Sequence, residues 1–324
     1  MLRTRNVLPE KLRSLGFRLP DMWSEYDRLR VEQISSRVSR DFWMPLISGH
    51  IEESLRAFMS SRSFLNLSVP LLNEAYTPKR SVLVFEHKGK SLELSPSGAM
   101  HIGALSAIYG RVYSLQAVFR DEGEYDANHL TEFHMLEAEW QCMDYEELLC
   151  FLEELLCFCM KEFNAFVRAK GITGMFPEHD TGIFPLKRVN YSEVPQDSEQ
   201  DPEGMYDRGI DSCRHAPYFI MFYPPRASWR AKVISEKQAY TFNLVLPGEF
   251  GELAECSVRE TLYNIMQEKF RRAGLDEKLG WYSEALRANQ QTRCGFGLGI
   301  ERLNRWLMNA DDTAHTKAFS RTLS

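Results

Sequence analysis

The segment CGFGLGIERLNRWLM, residues 294–308, places glycine at 295, 297 and 299. Side chains alternate along a strand, so all three glycines fall on one side. They leave a floor without side chains that a flat base or a phosphate chain can approach closely. From Ile300 the apolar positions follow helical spacing, so the segment reads as a strand running into a helix, with Arg302 in its first turn. The pattern is not the GxGxxG dinucleotide fingerprint, and no strand-turn-helix-strand unit surrounds it. Taken alone, glycine in a strand also simply marks a bulge.

A second region carries weight with the first. RVYSLQAVFRD reads as a strand whose period of two sets Ser114, Gln116 and Arg120 on one face and Tyr113, Leu115 and Phe119 on the other. After the turn-like EGEYDAN, EFHMLEAEW sets Phe133, Glu137 and Glu139 on one face and His134, Leu136 and Trp140 on the other. Either strand alone could have a merely solvated polar face. Together with Arg302, strand-end Arg120 and several carboxylates suit a metal-bound polyphosphate: guanidinium groups take phosphate oxygens, and carboxylates take magnesium.

The rest of the chain gives a frame. Residues 1–28 read as a basic, loosely structured lead-in, and residues 29–324 as one domain. Val31, Ile34, Val38 and Phe42 recur at helical spacing; Pro45 and Gly49 interrupt before a second helix with Ile51, Leu55, Phe58 and Met59. FLNLSVPLL has β-character. VLVFEH and SLELS flank Lys88-Gly89-Lys90 as a hairpin. A helix is expected from about Tyr145 to Lys170 with Gly171 as its cap, and another from about Arg259 to Ala273, stopped by Gly274. The stretch 190–216, with seven acidic residues between Ser192 and Asp211, reads as a mobile acidic insertion. Strands cluster with helices between them and no internal repeat, which predicts an α+β fold with a largely antiparallel sheet.

Composition removes other classes. Of 324 residues, 44% are hydrophobic and 26% charged, an ordinary globular balance. The net charge of -6 offers no broad cationic surface for a phosphate backbone. The richest apolar stretch, Leu148 to Met160, contains Glu153 and Glu154, so no membrane span is expected. The N-terminus has no apolar signal core. Seven cysteines without a CxxC pair read as reduced, packed thiols, and the expected location is cytoplasmic.

FRDEG followed by NHLTEFHMLEAEW resembles the second signature motif of class II aminoacyl-tRNA synthetases, and GFGLGIERL resembles the third. The branch resembled is the one that handles aspartate, asparagine and lysine. FLNLSVPLL with Pro70 resembles the first motif, which in that family forms a homodimer interface. PGEFGELAECSVRE resembles the asparaginyl and aspartyl segment with a metal-binding glutamate and, seven residues on, an arginine for the substrate side chain. The resemblance implies a class II synthetase-like antiparallel sheet flanked by helices, with ATP and Mg2+ as cofactors and an amino acid as substrate. By position, Arg120 and Arg302 are the implied catalytic arginines, with Arg120 on the α-phosphate and Arg302 on adenine and the γ-phosphate. Glu122, His129 and Phe133, with Gly297 and Gly299 in the floor, are the other implied ATP contacts. Glu252 and Glu255 are implied metal ligands, Glu137 the holder of the α-amino group, and Arg259 the partner of a carboxylate or amide side chain.

The sequence also departs from that pattern. An N-terminal anticodon-reading OB-fold needs roughly a hundred residues, and about 45 precede the first motif, so no anticodon recognition is expected. In LSPSGAMHIGAL, Ser97 and His101 stand where the family supplies other substrate contacts. Asn243 stands where an acidic residue is usual near the metal, and Asn128 replaces the arginine that usually precedes the motif-two histidine. Three readings follow. One is an ATP-dependent ligase that forms an aminoacyl adenylate from aspartate, asparagine or a relative and passes it to a small amine, ammonia, a protein or a carrier, the acceptor being unknown. The others are tRNA aminoacylation through the acceptor stem alone, and an inactive paralogue acting as a regulatory binding module.

Overall fold

The computed structural model describes residues 23–36, 38–74, 82–121, 126–194, 215–225 and 230–321. Glu122 and residues 195–214 of the acidic stretch lie outside the described residues. In chain order the strands are β1 (Leu65–Asn66), β2 (Leu72–Glu74), β3 (Val84–His87), β4 (Lys90–Leu94), β5 (Val112–Phe119), β6 (Glu132–Gln141), β7 (Lys187–Asn190), β8 (Tyr218–Met221), β9 (Val233–Ser235), β10 (Gln238–Ala239), β11 (Thr241–Leu246), β12 (Gly251–Val258) and β13 (Arg293–Gly299). The helices are α1 (Trp23–Ile34), α2 (Arg40–Ser61), α3 (Ala99–Tyr109), α4 (Tyr145–Ala169), α5 (Tyr263–Ala273), α6 (Asp276–Ala288) and α7 (Ile300–Met308).

Eight strands form one sheet in the order β1-β5-β6-β13-β12-β11-β8-β7. The six inner strands are antiparallel, and β1 and β7 add one parallel strand at each edge. This is the antiparallel-dominated α+β architecture expected from the sequence. The register ties parity to face. Tyr113, Ala138, Phe296, Cys256, Phe242 and Met221 align across the sheet and belong to the main apolar core. Against that face pack α2, α4 and α7 through residues such as Ile51, Leu152 and Leu303. Trp140 is fully buried at its centre, edge-on to Phe64 and Phe296, and its indole N–H donates to Glu147 at 2.9 Å. The opposite face carries the polar row described below.

The hairpin forms as expected: Lys88 and Gly89 both take positive φ, 51° and 73°, the signature of a two-residue type I′ turn. Helix α4 is capped by Asp144 and followed by Gly171 at φ 68°. Other expectations are corrected. Pro45 and Gly49 do not split a helix: α2 runs unbroken from Arg40, N-capped by Ser39. Pro45 forfeits a single backbone bond, while the buried stripe Met44, Ile47, Ile51, Leu55, Phe58 and Met59 holds the helix to the core. Val31 and Val38 are exposed and belong to no such stripe. The lead-in already contains α1, which starts at Trp23. FLNLSVPLL is mostly irregular, with strand only at Leu65–Asn66 and from Leu72. Helix α5 begins at Tyr263, because Arg259 still pairs as a bridge with Ala231 at the end of the sheet. Residues 190–194 are ordered as the end of β7 and a short 3-10 turn.

The two ends of the described chain are tied together. Arg30, with no exposure, donates to the carbonyls of His315, Lys317 and Ala318 and to Asp41 at 2.8 Å. The C-terminal segment in turn braces the loop before β6: Thr313 N donates to Ala127 O, and Thr131 N donates to Arg321 O. Arg30→Met removes a buried guanidinium, its pair with half-buried Asp41 and three carbonyl bonds, so unfolding free energy should fall by about 2 kcal/mol, read from urea denaturation. An unchanged midpoint would show that Arg30 is not the tie.

Candidate functional site

The polar face is assembled by register. Ser114, Glu137, Gly297, Glu255 and Asn243 lie side by side across β5, β6, β13, β12 and β11. One row away lie Val112, Glu139, Gly295, Ser257 and Thr241, and on the other side Gln116, Met135 and Gly299. Several buried polar atoms of this face have no partner among the described residues: Ser114 Oγ, Gln116 Nε2, Thr241 Oγ1, Asn243 Oδ1 and Arg293 Nη2. Buried polar groups are normally satisfied, so such a concentration on one face makes it the candidate ligand site.

At one end of this face the sequence-derived phosphate-side residues come together. Arg120 donates through Nε to Pro96 O at 3.1 Å, and its guanidinium lies 5.3 Å from the centre of the Phe133 ring. Arg302, in the first turn of α7, donates to Glu252 O at 2.6 Å and through Nη2 to His129 Nε2 at 3.1 Å. A guanidinium only donates, so His129 accepts at Nε2 and gives its Nδ1 proton to Asp126 Oδ2 at 2.7 Å. Burial alone would raise the Asp126 carboxyl, but His129 and the N–H groups of Asn128 and His129 outweigh it and pull it down to about 2. Asn128 is engaged as well: its side-chain oxygen accepts from Arg305 at 2.5 Å and its amide donates to Glu249 O. At the base of α7, buried Glu301 accepts from His134 N and Nδ1 and pairs with Lys317. These contacts outweigh the effect of burial and keep its carboxyl below the ordinary glutamate value.

A β-bulge shapes the next part. Pairing slips between Leu244 and Val245, which buries Leu253 in the core and turns Glu252 to the polar face, where Asn243 Nδ2 bonds its carboxylate. Glu255, exposed, is the strand neighbour of Asn243. Among the described residues no three acidic, His or Cys side chains cluster as a ready-made metal cage. Two carboxylates and the unpartnered Asn243 Oδ1 are nevertheless a hard-oxygen set that fits Mg2+, which keeps waters and phosphate oxygens in its shell.

On the amino-acid side, Ser97 Oγ donates to Glu137, whose other oxygen accepts from Gly98 N at 2.7 Å. The carboxylate thus sits on the N-terminus of α3, a helix the sequence reading did not identify, where the helix dipole favours it. His101 is not brought to this group. Its ring stacks on Trp281 of α6 at 5.1 Å, and burial pushes its pKa down.

Arg259 is drawn into a separate buried cluster around Glu139. Arg230 Nη2 (2.7 Å) and Arg259 Nε (3.1 Å) donate to one carboxylate oxygen, Arg293 Nε (3.2 Å) and Ser106 Oγ (3.0 Å) to the other. Burial alone would raise the Glu139 carboxyl; the three arginines outweigh it and hold it below its ordinary value. Arg259 is lowered by burial and by its neighbour Arg230. Sequence reasoning missed Arg230 and Arg293. For Arg293 the signal was present, since it shares parity with Gly295, Gly297 and Gly299; for Arg230 no spacing pointed to it.

The glycine floor is tight at one position and adaptable at another. A Cβ at Gly295 would stand 2.5 Å from Ala138 O and 2.8 Å from Arg259 Nη2, whereas one at Gly297 meets the Met135 methyl at 2.8 Å. At Gly299 the closest group is Arg302 Cβ at 3.8 Å.

These features meet known proteins at one point. The description "tRNA synthetases class II (D, K and N)" matches residues 34–323, and the chain belongs to that family. It is 26% identical over 295 residues to an asparagine–tRNA ligase of Streptococcus mutans, covering 82% of this chain and 65% of that protein. An asparagine–tRNA ligase of Lactobacillus gasseri is 25% identical over 311 residues, 89% of this chain and 71% of that one. The chain therefore spans about 65% of the length of the first of these relatives. By fold it is similar to the Entamoeba histolytica asparaginyl-tRNA synthetase complexed with asparaginyl-adenylate, with TM-score 0.78, 20% identity, and coverage of 88% of this chain and 68% of that one. The Pyrococcus horikoshii asparaginyl-tRNA synthetase, also with asparaginyl-adenylate, gives TM-score 0.78 at 23% identity over 92% of this chain and 71% of that one.

Overpacking against backbone costs about 1–3 kcal/mol, so Gly295→Ala should lower the thermal midpoint by several degrees. Gly297→Ala, which meets only a flexible methyl, should fold with a midpoint near wild type. Equal midpoints for the two variants would contradict the described floor.

Proposed function

We propose that the chain activates an amino acid with ATP, forming an aminoacyl adenylate and pyrophosphate. The observation that carries this reading is the row of unsatisfied buried polar atoms on the glycine-floored face, flanked by Arg120 and Phe133 on one side and Arg302, His129 and Glu252 on the other. In this reading ATP lies over Gly297 and Gly299, with adenine against Phe133 and Arg302 and the phosphates reaching Arg120 and Arg302, the latter positioned by His129. The amino acid lies beside Glu137, whose oxygens keep acceptor capacity for an ammonium.

The chemistry asks little of acid–base groups. The substrate carboxylate, already ionised, attacks the α-phosphorus in line, one new P–O bond forms, and the bond to the leaving pyrophosphate breaks. Arg120 and Arg302 stabilise the charge that builds on the phosphoryl and pyrophosphate oxygens. Glu252, Glu255 and Asn243 would hold Mg2+, which when bound neutralises phosphate charge.

For the second half-reaction we favour an acceptor that is not selected by anticodon: a small amine, ammonia, a protein or a carrier. Asn128 supports this, because its side chain is turned inward to Arg305 and Glu249 instead of presenting a cation to a nucleic acid. The asparagine–tRNA ligase names of the relatives favour a second reading, charging of tRNA through the acceptor stem.

We also read the chain as a homodimer through the region around Pro70. Leu65 on β1, Leu71, and Leu72 and Phe85 on one face of the β2-β4-β3 sheet are exposed there, apolar groups that a second copy would cover. Light scattering should give a dimer mass for the wild type and a monomer for Leu72→Arg; a monomeric wild type at micromolar concentration would refute it. No described helix is long and apolar enough to cross a membrane.

The central test is ATP–pyrophosphate exchange with a panel of amino acids. Exchange should depend on one amino acid, and Arg120→Ala should lower it by about a hundredfold or more, the usual effect of deleting a transition-state donor. Near-normal exchange in that variant would refute the assignment. Exchange with no amino acid would refute activation itself.

A further inference from the structure

The cluster around Glu139 is over-supplied with cations. Its carboxylate receives Arg230, Arg259, Arg293 and Ser106, which uses the full acceptor capacity of two oxygens. Three guanidinium groups therefore share one anion. Among the described residues, the other groups that face them do not close the gap. Tyr282 accepts from Arg230 at 3.3 Å but is a phenol, Glu255 acts on Arg259 only from the exposed neighbouring row, and the ion pairs of all three arginines go to Glu139, not to Glu260. Arg230 Nε and Arg293 Nη2 are buried and have no partner among the described residues. Uncompensated buried charge is costly, so a cluster in this state favours an added anion.

Geometry says where that anion enters. Glu139 and Arg293 each keep 1% of their side chains exposed, whereas Arg230 and Arg259 keep 8%. Arg259 is fixed through Nε on Glu139 and Nη1 on Ser257, which leaves Nη2 over Gly295. Arg230 is held beside it because Ala231 bridges to Arg259 and Glu260 N donates to Arg230 O. Glu139 follows Glu137 by two residues on β6, a separation of about 6.8 Å. One short molecule can thus place an ammonium at Glu137 and a second group at the two arginines.

From this we infer that the site selects an amino acid whose short side chain ends in a carboxylate over the corresponding amide, with Arg230 acting beside Arg259 as a specificity-determining residue. The inference rests on the reading of the face as an amino-acid-activating site. A carboxylate offers two acceptors and a negative charge to groups that can only donate. An amide offers one acceptor and an NH2 that no guanidinium can accept from.

Calorimetry and thermal shift on the full chain, with L-aspartate, L-asparagine and succinate, test this directly. Aspartate should bind at least about tenfold tighter than asparagine, since a charged hydrogen-bond pair is lost with the amide, and succinate should raise the melting temperature. Arg230→Met should remove the preference, and Arg230→Lys should restore part of it; a purely structural role would weaken both amino acids alike. Asparagine binding as tightly as aspartate, or no binding by aspartate and succinate, would overturn the inference, and neither outcome needs a variant that folds. Exchange of pyrophosphate with asparagine at equal or better kcat/KM would also overturn it and leave activation standing. Aspartate-selective binding without exchange would do the reverse.

Discussion

Antiparallel register is the constraint on which the rest of this structure depends. In a sheet each residue has two directions to point, and a neighbour's parity is fixed by hydrogen bonding. Here six inner strands are locked so that Phe242, Cys256, Phe296 and Ala138 meet α2, α4 and α7, which obliges Asn243, Glu255, Gly297 and Glu137 to meet one another. The apolar face holds the fold together, and the same bonds compel the polar face to be a row. A one-residue slip of β13 would put Phe296 and Leu298 among the carboxylates and the glycines into the core. Selection for a stable core and for an aligned site therefore act through the same backbone contacts.

Local irregularities then edit the row. The bulge in β12 brings Glu252 to the face that strict alternation would deny it. The close approach at Gly295 lets Arg259 pass over the floor to Glu139. Ser97 and Gly98 deliver the start of α3 to Glu137, so a negative charge meets the positive end of a helix.

Much of this was legible in the sequence wherever period two governs. Ser114, Gln116, Phe133, Glu137 and the three glycines could be assigned to a face before any coordinates, and the structure keeps them there. What could not be read depends on contacts between distant segments. The Pro45–Gly49 break was expected from local propensity, yet tertiary packing of the Met44 to Met59 stripe overrides it. Helix α3 has almost no amphipathic pattern because both its sides are covered, and its N-terminus is defined by Glu137, some forty residues downstream. His101 looks like a polar candidate among small residues, but it faces Trp281 across a helix pair that no spacing announces. Arg230 gains its place only because Ala231 bridges to Arg259.

The brace between the C-terminal segment and the loop before β6 has a consequence for how the molecule is made. The backbone of Ala127 and Thr131 is bonded by Thr313 and Arg321, and Arg30 closes on the carbonyls of residues 315, 317 and 318. Contacts of such long sequence separation form late and slowly, after their loop entropy has been overcome. During vector-wise synthesis, β5 and β6 emerge with their motif complete in sequence but without β13 between them and β12, and without the segment that steadies His129. The polar face would then be complete only once the segment through Arg321 has left the ribosome, so the nascent chain carries Arg120, His129 and Phe133 long before the contacts that brace them.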